Sequence, residues 1–306
     1  MKCSKCNNTA IMSQRYSGRH LCTAHFTEEF EQSVKETLLK GRMIEEGDKI
    51  AVAASGGKDS TALLYVLNNI LADRLADRTV ELFAITVDEG IKGYRDDTMR
   101  IARKIAGDLG IRQEVVSFRD EYGFDLDNAM RDGAMPCTVC GVFRKNALNR
   151  AAKRLGATKV ATGHNLDDEA QSVLMNYLKG DMERLARFRP RRRQTGLVPR
   201  IKPLREIPEK EVALYGIARG FFEESRECPY ARLSFRSDVR DMMNRLEDLF
   251  PGTKHSTLQG YERILELAGS NWVQADLSSC RICGEPCVQD LCKACELLAR
   301  LKGVQW

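Results

Sequence analysis

The stretch that decides the fold is Lys49-Ile50-Ala51-Val52-Ala53-Ala54-Ser55-Gly56-Gly57-Lys58-Asp59-Ser60. A short apolar run runs straight into a serine and a glycine pair, and a helical pattern begins at Lys58. Adjacent glycines let backbone N–H groups approach an anion closely. The helix N-terminus behind them adds the positive end of its dipole. Ser55 and Ser60 supply hydroxyl donors, and Lys58 adds charge. The product is a cradle for pyrophosphate. It is not a Walker A loop, which needs glycine where Val52 sits and Ser or Thr directly after the lysine, where this chain has Asp59.

Working outward, the periodicity predicts an amphipathic helix from Phe26 to about Met43, then strands at Lys49–Ala54, Val80–Val87, Gln113–Phe118 and Lys159–Thr162. Helices are predicted between and after them at Lys58–Leu71, Asp96–Leu109, Val142–Leu155 and Asp167–Leu178. Such alternation is the α/β class, a parallel sheet with helices on both faces. Ligands bind such sheets beyond the C-terminal strand ends. Thr162-Gly163-His164-Asn165-Leu166-Asp167-Asp168-Glu169 follows one of those ends. Its paired aspartates suit Mg²⁺ beside phosphates, and equally suit a helix cap with a first-turn acid. The stretch after Gly180, with Pro190, Pro199 and Pro203, reads as a loop. Between Arg184 and Arg205 it carries Arg187, Arg189, Arg191, Arg192, Arg193, Arg200 and Lys202 and no acid. That is either an RNA-phosphate contact or a solvated basic loop. Further helices are predicted near Glu209–Arg219, Ser237–Phe250 and His255–Ala268.

A chain of 306 residues has room for a substantial core. No apolar run is long enough to span a bilayer, and no signal core follows Met1. We therefore expect no membrane partner and a cytoplasmic location. The net charge of +5 is too small to argue a partner alone. Eleven cysteines in a reducing compartment point to metal rather than disulfides. Cys3-x2-Cys6 with Cys22-x2-His25, and Cys280-x2-Cys283-x8-Cys292-x2-Cys295, match two structural Zn²⁺ sites. They divide the chain into a knuckle at 1–27, a catalytic domain at 28–270 and a second knuckle at 271–306. His20, a possible substitute for His25, and Cys287 are left over. Cys137-x2-Cys140 sits just before the Val142 helix, and Cys228 precedes Pro229. These three have three readings: ligands of an iron–sulfur site with one iron open, a persulfide-carrying catalytic pair, or unrelated buried thiols.

The Ser55–Ser60 loop resembles the PP-loop of the N-type ATP pyrophosphatases, a Rossmann-like fold. The resemblance implies cleavage between the α and β phosphates, with Asp59 helping to hold Mg²⁺. Taken in order, the Cys₃His knuckle, the loop, Cys137/Cys140, Thr162–Glu169, Cys228 and the Cys₄ knuckle resemble the tRNA 2-thiouridine synthetases over nearly the whole chain. That resemblance implies ATP at Ala53, Ala54, Ser55, Gly56, Gly57, Lys58, Asp59 and Ser60, with Val87 meeting adenine through its backbone, and Gly163 and Asp168 closing the site. It implies a [4Fe-4S] cluster on Cys137, Cys140 and Cys228, with Asp59, Asp168 and these cysteines catalytic. Relatives that modify the T-loop carry a lysine where this chain has Arg144, so Arg144 or Lys145 takes the phosphate contact. Cys140–Lys145 and Asn176–Arg187 look more like the branch acting on the wobble uridine, U34, than on U54. Expected partners are tRNA, held by Arg187, Arg191, Arg192 and Arg193, a sulfur donor (sulfide or a ubiquitin-like thiocarboxylate carrier) and a second copy in a homodimer. The rivals are another PP-loop enzyme, such as an amide-forming or lysidine synthetase, a cytidine-32 thiolase, a cluster-free persulfide thiolase, and a non-catalytic zinc-knuckle RNA binder.

Overall fold

The computed structural model describes residues 1–129, 136–188, 196–223, 226–231, 234–268 and 277–303. A hairpin of β1 (Met12–Gln14) and β2 (Arg19–Leu21) leads into helix α1 (Thr23–Lys40). The alternation is β3 (Lys49–Ala53), α2 (Lys58–Ile70), α3 (Ala72–Ala76), β4 (Glu81–Asp88), α4 (Arg95–Asp108), β5 (Gln113–Ser117), α5 (Phe118–Tyr122), α6 (Leu126–Ala129), α7 (Pro136–Arg154), β6 (Lys159–Ala161), α8 (Leu166–Leu178), α9 (Met182–Arg187) and β7 (Arg200–Ile201). Helices α10 (Glu209–Ala218), α11 (Phe235–Leu249) and α12 (Thr253–Ala268) follow, then the hairpin β8 (Ser278–Ser279) and β9 (Pro286–Cys287), and α13 (Lys293–Lys302).

Five strands pair in parallel in the order β5-β4-β3-β6-β7. Side chains alternate across a strand, and β3 shows the consequence. Ile50 and Val52 enter one core with α1, α2 and α10, while Ala51 enters the other with Phe143, Ala147 and Ala151 of α7. Both faces are therefore covered, which is why the strands read as apolar runs rather than alternations. From β3 the chain runs to one side through β4 and β5, then returns to β3's other flank with β6. The strand order reverses between β3 and β6, and a crevice opens at their C-terminal ends.

Three expectations change. The cysteine pair does not precede its helix: α7 begins at Pro136, so Cys137 and Cys140 lie in its first turns. Gly141 and the β-branched residues before it weaken the local helical signal, but buried Val139 and Phe143 hold this turn to the core. The segment after Gly180 is not all loop, since α9 and the edge strand β7 lie in it. Part of the basic stretch is internal. Arg205 is buried against Glu169 and Glu262, and Lys202 pairs with Glu169 at 2.6 Å and lies over the Phe188 ring. Arg191, Arg192 and Arg193 lie outside the described residues, as does the side chain of Arg187.

Each terminal knuckle is docked by one carboxylate. Glu211 of α10 accepts hydrogen bonds from Tyr16 (2.7 Å) and Gln14 (3.2 Å) of the first hairpin. Glu285 accepts from Asn149 (2.6 Å) and Lys153 (2.8 Å) of α7.

At the other end of the sheet Asp48 accepts from Glu45 N, Thr158 Oγ1 and Lys159 Nζ at 2.6 to 2.7 Å, tying β3 to β6. Burial opposes its charge, but these donors hold its carboxyl below the ordinary carboxylate value. Its contribution is thus present above the unfolded value and lost as pH falls through the folded one. Asp48→Ala leaves buried Lys159 with only the exposed Glu45 carboxylate, 3.7 Å away, as an acidic partner, with an expected cost of about 3 kcal/mol in urea denaturation at neutral pH. The difference between variant and parent should shrink below pH 4, and a pH-independent difference would contradict the assignment.

Candidate active site

The glycine turn is held from beneath by a helix. Gly56 has φ +82°, and a Cβ there would lie 1.7 Å from the Thr98 carbonyl oxygen of α4, so no other residue fits. Ser55 Oγ and Ser60 Oγ are 3.0 Å apart, and Ser60 Oγ donates to Gly57 O. Gly57 caps α2 without a side-chain acceptor, so the first N–H groups of that helix have no capping side chain.

Across the crevice, the loop after β6 presses on the start of α2. A Cβ on Gly163 would meet Asp59 C, Asp59 O and Ser60 N at 2.9 to 3.0 Å. Asn165 donates to Asp59 Oδ1 at 3.0 Å and caps α8, with Asp168 completing a reciprocal capping box. The two aspartates that follow have separate jobs. Asp167 is buried, paired with Lys254, and accepts from Glu209 N at 2.8 Å. Asp168 stays on the crevice side, 3.7 Å from Arg236. Burial raises the Asp168 carboxyl to about 6, and Asp59 adds to that rise. Burial likewise raises Asp59, against the pull of Lys58. Two carboxyls with raised pKa values that repel each other are a natural seat for a divalent cation. Lys58 does not reach forward alone. Its ammonium bonds Asp59 (3.0 Å) and Glu209 (2.5 Å).

The cysteines meet this crevice through a chain of charges. Arg95 is buried and donates to Ser55 O (2.9 Å) and to Val87 O (2.5 Å). Of the Val87 backbone groups expected at adenine, the carbonyl is thus already engaged by Arg95. Arg95 Nε lies 2.8 Å from Glu89, whose other oxygen is 3.7 Å from Arg144 Nη1. Arg144 lies on α7 one and two turns beyond Cys140 and Cys137, on the same face. Burial pushes the Cys140 thiol up to about 12. Arg144 opposes this, and Glu89, Cys228 and Cys137 add to it. Cys228 is raised too, first by burial and then, as like charges, by Cys137 and Glu89. The three thiols therefore share one electrostatic neighbourhood, and all are free of disulfides. A buried thiol that resists ionisation is a poor nucleophile, whereas iron binding stabilises the thiolate. With three thiolates and no fourth cysteine in that neighbourhood, the donor set fits a cluster with one open iron.

Cations cluster close to these acids and to the cysteines. Lys145 is lowered to about 8 by burial and by Arg200, Arg144, Arg184 and Arg236. His164 is lowered to about 3 by burial and by Lys202, Arg236, Arg144 and Arg200, so it is neutral at working pH. Sequence reasoning missed Arg95, Glu89, Asn165, Arg236 and Glu209. All but Asn165, which stands inside the Thr162–Glu169 segment, belong to no motif, and each acquires its role from a neighbour distant in the chain.

The terminal sets close as well. The ligand atoms of Cys3, Cys6, Cys22 and His25, and of Cys280, Cys283, Cys292 and Cys295, each lie within 4.8 Å of one another. Cys6 Sγ and Cys22 Sγ are 3.7 Å apart, and Cys283 Sγ and Cys292 Sγ 3.5 Å. A tetrahedron with Zn–S near 2.3 Å has an edge of about 3.8 Å, so the spacing fits. His25, not His20, completes the first set. Cys287 stands apart, donating to Gln289 O at 2.8 Å.

Sheet order, glycine turn and facing acids together define an ATP-handling PP-loop fold. A PP-loop domain family model matches residues 23–225, and the N-terminal LIM domain model of the 2-thiouridine synthetase TtuA matches residues 2–27. The tRNA 2-thiolation protein NcsA of Haloferax volcanii is 37% identical, covering 99% of this chain and 100% of its own length. The cytoplasmic tRNA 2-thiolation protein 1 of Xenopus laevis is 36% identical over 98% of this chain and 88% of its own. In structure, the U34-tRNA thiolase NcsA of Methanococcus maripaludis with its [4Fe-4S] cluster superposes with a TM-score of 0.87 at 38% identity, covering 100% of this chain and 98% of that one. The chain belongs to this family, the PP-loop tRNA 2-thiolation proteins.

Gly163→Ala places a methyl against the first turn of α2. We expect ATP affinity by calorimetry to fall at least roughly tenfold, about 1.4 kcal/mol, with a shift of only a few degrees in Tm. Unchanged affinity would show that this close approach does not shape the nucleotide site.

Proposed function

We propose that this chain uses ATP to adenylate the C2 carbonyl oxygen of a tRNA uridine and replaces that oxygen with sulfur at a metal centre beside the nucleotide. The observation that carries this reading is the continuous path from Ser55 through Arg95, Glu89 and Arg144 to the cysteine set. A uracil carbonyl oxygen is a poor leaving group, and transfer of AMP makes it a good one. The N–H groups of the glycine turn and of α2 receive the departing pyrophosphate. Asp59 and Asp168 hold Mg²⁺, which offsets charge in that step. Cys137, Cys140 and Cys228 would hold a [4Fe-4S] cluster, whose chemistry would be to bind sulfide from the donor and present it to C2 as AMP leaves. Arg144, Lys145, Arg200 and Arg236 attract the RNA backbone, and Arg187, Arg191, Arg192 and Arg193 add positive charge for tRNA.

We take the substrate to be the wobble uridine, because the Methanococcus maripaludis relative is named a U34-tRNA thiolase and matches over the full chain. The same reaction at U54 is the second reading, favoured by the TtuA match of the N-terminal knuckle. Residues 1–27 and 271–306 are zinc knuckles around a catalytic domain at 28–270, each folded around one Zn²⁺. The resemblance suggests a homodimer, the donor is either sulfide or a ubiquitin-like thiocarboxylate carrier, and the address is taken as cytoplasmic.

Anaerobically reconstituted protein, given ATP, Mg²⁺, sulfide and unmodified tRNA, should form 2-thiouridine with one AMP released per sulfur. Nucleoside mass spectrometry with fragment mapping should place the sulfur at position 34. Cys228→Ala should lose thiolation by about 100-fold or more, as expected for loss of a catalytic group. Normal thiolation by that variant would refute the cluster role, and sulfur confined to position 54 would move the substrate. Binding of tRNA should weaken steeply with salt, with a log–log slope near −4 if about four to six phosphates are neutralised.

A further inference from the structure

The proposed cluster ligands come from two places in the chain, and they are held very differently. Cys137 and Cys140 ride on α7, which buried Val139, Phe143 and Ala147 fix to the core. Cys228 sits in the short described segment 226–231, which contains no α-helix or strand. Within it, Ala231 N donates to Cys228 O at 3.0 Å. Arg226 pairs with Asp97 at 3.7 Å, but both side chains are exposed and such a pair restrains little. The stronger attachment is Tyr230. Its hydroxyl donates to Asp127 Oδ1 at 2.8 Å, and its carbonyl accepts from Cys137 Sγ at 3.5 Å.

Asp127 is itself fixed to the sheet end. Its other oxygen accepts from Lys92 N at 2.9 Å, and the neighbouring Leu126 N donates to Glu89 O at 2.8 Å. A phenol bonded to a carboxylate is charge-assisted and directional. The rigid ring carries that constraint to a backbone position two residues from Cys228. We propose that the Asp127–Tyr230 bond sets Cys228 at its distance from Cys137 and Cys140, making both residues positioning residues of the metal centre. This rests on reading the three cysteines as cluster ligands.

The test uses full-length protein reconstituted anaerobically, with Tyr230→Phe and Asp127→Ala breaking the bond from either side. The readout is the rate at which a ferrous-iron chelator bleaches the cluster absorbance, beside iron per chain, the Tm of the cluster-free protein and its ATP affinity. Each variant should lose its cluster roughly tenfold faster, the equivalent of one charge-assisted hydrogen bond. The double variant should be no faster than the faster single, since both break one bond. Cluster-free Tm should move by a few degrees at most, and ATP affinity should not move. Cluster loss at the parent rate in both variants overturns the positioning role. Cys228→Ala separates the two claims. If it keeps a cluster of parental spectrum and lifetime, the ligand reading itself fails. If it loses the cluster while Tyr230→Phe and Asp127→Ala keep theirs, only the positioning role fails.

Discussion

One buried guanidinium organises the catalytic end of this molecule. Two neighbouring parallel strands finish side by side, and the carbonyls just beyond β3 and near the end of β4 need donors. Arg95 serves both, at Ser55 and Val87, and adds the Thr98 hydroxyl. A buried cation is costly unless paired, and Glu89 supplies the charge. The same helix places the Thr98 carbonyl where any side chain at position 56 would clash. The glycine turn is thereby held in shape from below by α4.

Both signs of charge gather in the crevice that results. Acids stand where β3 and β6 end, and burial raises Asp59 and Asp168, with Glu209 adding to both and Asp59 adding to Asp168. Cations gather along α7, β7 and α11, and burial together with repulsion lowers Lys145 and His164. A cation arriving at the first group and a polyanion arriving at the second both relieve stored repulsion, the usual physical signature of a binding site. On Cys140, Glu89 and Arg144 act with opposite sign.

The terminal knuckles are parts of the same construction. The C-terminal one shares a core with α7, through Cys280, Cys292 and Cys295 in one cluster with Phe118, Phe143 and Leu148. Glu285 fastens it to Asn149, whose side-chain oxygen also accepts from Val198 N at 3.0 Å, at the foot of the return into β7. A short cysteine-rich segment thus braces both the cysteine helix and the edge of the sheet. The N-terminal knuckle braces α10 through Glu211, whose carboxyl burial raises despite two hydrogen bonds.

Local chemistry was enough to read the parallel sheet, the glycine turn, the capped acids after β6 and both four-ligand metal sets. Each is written in contiguous residues or fixed spacing, because a turn, a cap or a knuckle is made by neighbours in the chain. Tertiary structure alone decided what depends on residues far apart. It separated Asp167, taken by Lys254 some eighty residues on, from Asp168, left to the crevice. It turned Lys202 and Arg205 inward onto Glu169 although they stand in a basic run. It wound Cys137 and Cys140 into α7 because burial of Val139 and Phe143 outweighs weak local propensity. It also introduced Arg95 and Glu89, which no motif announces, since a charge acquires its partner only when the strands that carry it are laid side by side.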